Sequence, residues 1–443
     1  QVFSMPGMEK VSCVVIGAGA VGLAIARTIS KTGVSTFVLE RHPMLGMDNS
    51  SRNSEVLHAG LYYPKGSNKA NLCLKGRQLM LDYLQQMNIP HKQCGKLVIA
   101  TTDDESKTLQ QIYRNATRNG LTELSLLHQE DIKLIEPQIS CTSAILSPFT
   151  GIMDSHSLMV QYEADIDNSQ TGSMVVYNCD VQRIEHSKCD ITSTQNLNGK
   201  SSSGAGCEFE FTIHTNQGSI RCDYLVNAAG LYAPQLAHQQ MSSFFPSNLI
   251  PPTYYCKGNY YKLQGVSNSA TSSSSSLFQH LVYPVPQAGG LGIHATLDLQ
   301  GGVRFGPDVE WIRYQQQQQN IEDLDQRKHF SNSNSRAAEK RHQKEDLYLF
   351  PPGVAPYTNF NVNTSSTSST DDTDTDVDAD DGSGNDNNRR REVFFQAIRK
   401  YWPAVRREWL VPDYAGIRPK LTGPDSSRIQ HDNKHDTTTT TTT

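Results

Sequence analysis

Val11-Ser-Cys-Val-Val-Ile-Gly-Ala-Gly-Ala-Val-Gly22, running on through Leu23-Ala-Ile-Ala-Arg-Thr-Ile-Ser30 to Val38-Leu-Glu40, decides the fold of this 443-residue chain. An apolar strand enters Gly17-x-Gly19-x-x-Gly22 directly. Gly17 permits the tight turn, Gly19 leaves the backbone open to a pyrophosphate, and Gly22 lets the next helix pack closely on the strand. The helix N-terminus then offers free N–H groups and a positive dipole end to phosphates. Glu40 closes the second strand, where an acid meets ribose hydroxyls. Its charge disfavours a 2′-phosphate and therefore NADP, an effect that Arg41 offsets only slightly.

Two later segments extend the site. Met174-Val-Val-Tyr-Asn-Cys-Asp-Val181 reads as a strand whose end, at Val181, meets an adenine. Cys222-Asp-Tyr-Leu-Val-Asn-Ala-Ala-Gly230 is an apolar strand that ends in small residues, so Ala229 and Gly230 let the backbone pass close to a cofactor. Together with the glycine turn these predict an extended FAD rather than NAD.

Bulk properties narrow the class. The length suits two domains. The net charge of −5 gives no reason to expect nucleic acid as a partner. The 37% hydrophobic content is low because polar tracts dilute an ordinary core: Ser272 to Ser276, Gln315 to Gln319, an Asp/Thr/Ser/Asn-rich stretch from about 331 to 388, and Thr437 to Thr443. Nine scattered cysteines without a CxxC pair argue against a disulfide framework or zinc site and for a reducing compartment. No run of 18 apolar residues is present. The start at Gln1 suggests a removed presequence or a fragment. Asp371 to Asp381 resembles a calcium loop only superficially, because Gly382 does not fall at its sixth position, and no metal site is expected.

Residues 9–42 predict a βαβ unit. Residues 70–88 predict a helix with Leu72, Leu74, Leu79, Leu81 and Leu84 mainly on one side. Gly95-Lys-Leu-Val-Ile-Ala-Thr101 is a strand, and 103–119 a helix capped by Asp103 or Asp104 and ended by Gly120. Strand patterns recur over 208–228, 253–263 and 281–306, and Glu392 to Trp402 reads as a helix before Pro403. The class is α/β: a Rossmann-like FAD-binding domain interleaved with an α+β, antiparallel-sheet substrate domain. The FAD-binding parts are 10–85 and 151–240, and the substrate parts 86–150 and 241–330. Residues 331–391 form a low-complexity insertion expected to be disordered, 392–425 a return segment to either domain, and 426–443 a disordered tail.

Polar candidates follow the second strand. Ser51, Asn53 and Ser54 offer short hydrogen-bonding side chains for phosphate or flavin edges, or serve as caps. His58, read as one helical turn beyond Ser54, suits a general base or a site-lining role. Lys257, in Tyr254-Tyr-Cys-Lys257-Gly-Asn-Tyr-Tyr, lies in a strand that passes a ring system. His294 and Arg304 can meet an anion or remain on the surface. Arg418, in Ala415-Gly-Ile-Arg418-Pro-Lys420, offers a planar fork to a carboxylate, a place beside flavin, or a surface ion pair.

These stretches resemble the FAD-dependent oxidoreductases of the D-amino-acid oxidase/glycine oxidase superfamily, and within it the L-2-hydroxyglutarate dehydrogenases. The residues that carry this are Val14-Val-Ile-Gly-Ala-Gly-Ala-Val-Gly-Leu-Ala, Ser51-Arg-Asn-Ser-Glu-Val-Leu-His-Ala-Gly-Leu-Tyr-Tyr-Pro64, Val226-Asn-Ala-Ala-Gly-Leu-Tyr-Ala, Lys257-Gly-Asn-Tyr-Tyr, Leu281-Val-Tyr-Pro-Val-Pro, Leu291-Gly-Ile-His-Ala-Thr, Arg304-Phe-Gly-Pro-Asp and Ala415-Gly-Ile-Arg-Pro-Lys. They cover about residues 10–330 and 393–422. The first occurs in many flavoproteins; the later ones are more selective.

The resemblance implies oxidation of L-2-hydroxyglutarate to 2-oxoglutarate, with hydride passing to flavin N5. His58, or failing that His294, would take the hydroxyl proton. Arg418, Arg304, Lys257 and Tyr63 would bind the dicarboxylate. Electrons would go to a quinone or an electron-transfer flavoprotein rather than NAD. The family is mitochondrial and membrane-associated in eukaryotes, and the homopolymeric tracts suggest a eukaryotic source.

Family members continue past Arg-Pro-Lys into a glycine- and serine-containing junction that contacts pyrophosphate and flavin. Here the chain turns polar after Leu421-Thr-Gly-Pro-Asp425, so a truncation or an altered gene model is expected. Two other readings remain open: an amine or amino-acid oxidase on the same fold, and an FAD-binding remnant whose acidic insertion binds a basic partner.

Overall fold

A computed structural model describes residues 9–188, 209–265, 277–286, 292–312 and 383–423. The four polar tracts and the aspartate run lie almost wholly outside these residues.

The chain opens with β1 (Glu9–Ile16), α1 (Ala20–Ser30) and β2 (Thr36–Leu39). Then come β3 (Val56–Leu57), α2 (Asn68–Gln86), β4 (His91–Lys92), β5 (Lys96–Ala100), α3 (Asp103–Arg118), β6 (Ser125–His128), α4 (Gln129–Ile135) and β7 (Ser143–Ser147). Next are β8 (Gly151–Met153), α5 (Ser155–Asp167), β9 (Met174–Val176), β10 (Val181–Lys188), β11 (Phe209–Thr215), β12 (Gly218–Asn227) and α6 (Ala233–Gln240). The last group is β13 (Tyr254–Leu263), β14 (Leu281–Pro284), β15 (Ala295–Leu297), β16 (Val303–Phe305), β17 (Glu310–Trp311), α7 (Ser383–Arg399) and β18 (Leu410–Lys420).

Among the described residues these strands form three sheets. One runs β10-β11-β12-β1-β2-β9, parallel across β12-β1-β2-β9 and antiparallel at the β10 edge. Its central strands are apolar on both faces, as a sheet covered by helices requires: Val14, Val15, Val38 and Leu39 are all buried. The second runs β17-β13-β16-β15-β14-β5-β7-β6, with β18 also on β13. It is antiparallel except where β14 meets β5. A small third sheet, β3-β8-β4, contributes strands from both expected domains. The observed α/β architecture with a second, largely antiparallel sheet matches the expected class.

The second core gathers Leu97, Phe278, Phe305, Phe394, Tyr401 and Trp402. Helix α7 therefore packs on this sheet, and β18 returns to it across nearly the whole length of β13.

Several local expectations differ. The α3 cap is Thr102, whose extended backbone lets its hydroxyl accept from the Glu105 N–H; Asp103 and Asp104 instead fill the first turn, where the helix dipole favours acids. Leu72 and Leu79 on α2 are exposed, and the buried stripe is Ala70, Leu81, Tyr83 and Leu84. Residues 174–181 are two strands, broken by a turn at Asn178 (φ 53°) where Cys179 N–H donates to the Glu40 carbonyl. Helix α7 begins at Ser383, inside the stretch assigned to the insertion. Ser54 and His58 do not share a helix, because the intervening Val56 and Leu57 pair with Ile152 and Gly151 as β3.

Candidate active site

The first cluster surrounds the glycine turn. Gly17 has φ +105°, and a Cβ there would stand 2.6 Å from the Ala228 carbonyl oxygen. A Cβ on Gly22 would strike the Gly17 carbonyl. Parallel pairing of Ile16 with Asn227 is what brings residues 228–230 against this turn. The buried Glu40 carboxylate accepts from Ala18 N–H (2.8 Å) and His42 N–H (2.9 Å), so it is oriented before any ligand arrives. Ser50 Oγ accepts from Ala20 N–H at 3.0 Å, capping α1 from outside the helix. No acidic residue lies in the first turn of α1 to oppose a phosphate.

A cavity of about 480 Å³ opens here. Its lining includes Gly17, Gly19, Gly22, Glu40, Arg41, Val181, Ala229 and Gly230. Arg41 lies 3.8 Å over the Tyr232 ring and pairs with Asp48 at 2.9 Å, which fixes one wall. Ser51, Asn53 and Ser54 are not in this lining. Ser51 Oγ donates to the carbonyls of Met47 and Asp48, and Asn53 bonds Ser50 O and Glu55 N–H, so both shape the turn. Ser50, adjacent to them, is the serine at the helix end. The residues present fit FAD: the side-chain-free cradle, the helix N-terminus and the preset carboxylate match pyrophosphate and ribose.

The second cluster lies where β3, β5, β14 and β18 converge. His58 leaves β3 with a side chain that solvent reaches, yet protein surrounds it, as for a residue in the wall of a concavity. Desolvation and then the Lys96 charge push its pKa down to about 3. Lys96 opens the buried strand β5 and is only 1% exposed. Its Nζ lies 4.6 Å from the Tyr283 ring centroid and 5.4 Å from that of Tyr62. Among the described residues no carboxylate pairs with it, and burial lowers its pKa to about 8. His294 is buried and stacks on Tyr283, centroids 3.6 Å apart. Burial also pushes the Tyr62 and Tyr283 hydroxyls up.

Arg418 reaches the same ring from β18. It pairs across from Cys256, and its guanidinium is near enough to influence both Tyr260 and Tyr283. Gly258 makes room for it: a Cβ there would stand 2.6 Å from Arg418 Nη2. Tyr260 stacks on Tyr414, whose hydroxyl donates to the Asn53 carbonyl at 2.5 Å and ties this wall to the cofactor loop.

The structure thus gathers His58, His294 and Arg418 about Tyr283 and Lys96. Other expected residues stand apart. Lys257 pairs with Ile417 and Glu310, on the face of β13 opposite Cys256 and Arg418, because alternate strand residues point to opposite faces. Arg304 donates from Nε to Asp413 at 2.8 Å and lies 5.8 Å from the Tyr414 ring, so its charge is already engaged. The Tyr63 carbonyl accepts from Asn115 of α3 and from Asn119, which caps that helix, and this anchors the segment beside Cys73. Lys96 was missed by the sequence reading; the available signal was a charge at the head of an otherwise apolar strand.

Comparison with known proteins agrees with this geometry. The family model for FAD dependent oxidoreductases (DAO) matches residues 12–438. A mitochondrial L-2-hydroxyglutarate dehydrogenase of Arabidopsis thaliana is 34% identical over 95% of this chain and 75% of its own length. The Homo sapiens counterpart is 34% identical over 67% of this chain and 60% of its own length. The fold is similar to FAD-bound L-alpha-glycerophosphate oxidase from Mycoplasma pneumoniae, with TM-score 0.61 and 16% identity over 95% of this chain and 85% of that one. It is also similar to glycine oxidase from Geobacillus kaustophilus, with TM-score 0.54 and 17% identity over 77% and 79%. At such identities these two likenesses concern the fold. The glycine cradle, the two-sheet architecture and the match over nearly the whole chain lead to one conclusion: this protein belongs to the family of FAD dependent oxidoreductases.

Proposed function

We propose that the chain oxidises L-2-hydroxyglutarate to 2-oxoglutarate and passes the electrons to an acceptor other than NAD, a quinone or an electron-transfer flavoprotein. The observation that carries this reading is the placement of the cations Lys96 and Arg418 about Tyr283, with His58 close to Lys96. The names and identities of the Arabidopsis and human relatives support it.

When bound, the flavin supplies a two-electron acceptor. Gly17, Gly19, Gly22, Glu40, Arg41, Val181, Ala229 and Gly230 would hold it through its pyrophosphate and adenosine parts. His58 has a free lone pair throughout the physiological range and would take the hydroxyl proton. A pKa near 3 makes it a weak acceptor in the ligand-free site. An anionic substrate beside it would raise that value toward the working range. Arg418 would hold the carboxylate next to the reacting carbon, since a planar fork fixes both oxygens. His294, stacked on Tyr283, would form the site wall. Tyr63 would bind substrate from the α2 side. Lys257 and Arg304 would act through electrostatics, given their positions. The mitochondrial names of the relatives support a mitochondrial location, and the acceptor reading is compatible with peripheral attachment to a membrane.

The deciding experiment mixes the purified flavoprotein anaerobically with L- or D-2-hydroxyglutarate and follows the oxidised-flavin absorption band. Bleaching by the L enantiomer alone, with 2-oxoglutarate as product, is expected. Bleaching by an amine or amino acid with ammonia released, and none by 2-hydroxyglutarate, would replace this reading with an amine or amino-acid oxidase.

A further inference from the structure

Lys96 is a buried cation with no carboxylate paired to it among the described residues. It is among the largest fully buried side chains described, yet neither an ion pair nor a hydrogen bond holds its ammonium among the described residues. Its contacts are the rings of Tyr283 and Tyr62, at 4.6 and 5.4 Å from their centroids. Leaving a lone charge in such surroundings opposes folding, so a structure that keeps one needs a reason. Lys96 is also close enough to lower the pKa of His58, the residue set to receive the substrate proton. The ring that it touches is the one on which His294 stacks and which Arg418 approaches from β18.

We propose that Lys96 is the counter-ion for the distal carboxylate of the dicarboxylate substrate and so determines specificity for two-headed acids. This rests on the function proposed above. The ligand class follows from the count and character of the charges around Tyr283. The Arg418 fork suits the carboxylate that must be fixed in angle beside the reacting carbon. The Lys96 ammonium is a point charge that holds the end of a flexible chain without demanding its angle. The aromatic walls of Tyr62 and Tyr283 would enclose the methylenes between the two heads. A monocarboxylate would leave Lys96 unmatched and would bind poorly for that reason.

The test compares five-carbon acids that differ only in the second head. With the holoenzyme, glutarate and pentanoate are titrated as inhibitors and by their perturbation of the flavin spectrum. Steady-state rates are measured with L-2-hydroxyglutarate and L-2-hydroxypentanoate. Rapid wild-type turnover of L-2-hydroxyglutarate establishes the parent reading by itself. In Lys96→Met the preference for glutarate over pentanoate is then expected to fall by roughly 30-fold or more, through loss of glutarate binding alone. Lys96→Arg, which keeps the charge, should retain most of the preference. Equal losses for both acids, or no loss for either, would overturn the assignment while leaving the parent reading standing. Should Lys96→Met not accumulate folded, Lys96→Gln carries the same comparison.

Discussion

Glu40 and Ala18 meet across the mouth of the glycine turn: the carboxylate Oε2 accepts the Ala18 amide proton at 2.8 Å, while Oε1 holds that of His42. One side chain therefore shapes the loop and faces the cofactor cavity. Glu40→Gln keeps the volume but replaces one acceptor oxygen with a donor, which must face an N–H or a ribose hydroxyl. FAD affinity is expected to fall by about 10-fold or more, at roughly 1.4 kcal/mol per decade. Flavin content after gel filtration, and titration of the apoprotein with FAD, check this.

Gly22→Ala places a methyl group on the Gly17 carbonyl, and neither partner is the free end of a side chain. A loss of about 1–3 kcal/mol in stability and failure to retain flavin are expected. Gly33→Ala is the matched control. Its φ of +88° carries strain, but nothing lies within 4 Å of the new methyl, so it should cost about 1 kcal/mol and leave flavin content unchanged. Thermal melts with and without added FAD distinguish the two.

His58→Ala is expected to lower kcat by roughly 10²–10⁴-fold with a nearly unchanged flavin spectrum. Its depressed pKa has a second consequence. The unfolded chain binds a proton at His58 near pH 6.5, whereas the folded chain resists it until about pH 3. Stability attributable to this residue is thus full above pH 6.5 and declines as pH falls toward 3. The pH–rate profile of kcat/KM for the free enzyme should show no limb near pH 6.5 from this histidine. Such a limb, abolished in His58→Ala, would contradict its assignment as neutral.

Gly258→Ala tests Arg418 without altering it. The added methyl meets Arg418 Nη2 and Pro307 Cβ, at 2.6 and 2.7 Å, so the guanidinium must move. A rise in KM of about 10-fold is expected, with flavin content unchanged. Arg418→Lys should likewise raise KM because the planar fork is lost. Unchanged kinetics in both variants would place Arg418 outside the substrate site.

Lys96→Met should raise thermal stability at pH 7. Burial lowers the lysine pKa from 10.5 to about 8, so the charged side chain opposes folding by roughly 3 kcal/mol, at about 1.4 kcal/mol per pH unit. The unfolded chain keeps its proton up to about pH 10.5, and the folded chain gives it up near 8. The wild type therefore gains stability on the variant as pH rises through that window. Melting curves at pH 7 and pH 9.5 read the narrowing gap.

The cofactor cradle was legible in sequence because its geometry is local. Three glycines, one helix start and one acid fix it within thirty residues, and the pairing of β1 with β12 then sets Ala229 and Gly230 in the same cavity wall. The substrate side was legible only in part. Its residues come from strands far apart in the chain, and no single stretch states which charges will face one another. Lys96 reads as an ordinary strand residue until Tyr62 and Tyr283 are set beside it. Arg304 reads as a free cation until Asp413 arrives from β18. Lys257 and Arg418 look equivalent until the alternation along β13 puts them on opposite faces. Leu72 and Leu79 satisfied the helical period, but the surface they face is solvent.

Strand β18 reaches back to segments made hundreds of residues earlier: Tyr414 holds the Asn53 carbonyl, Gly416 lies against Arg52, and Arg418 stands over β13. A chain emerging from the ribosome would therefore possess its glycine cradle long before it possessed a complete substrate wall. A translation product that stops short of Lys420 would lack the Arg418 wall even if its cofactor pocket had already formed.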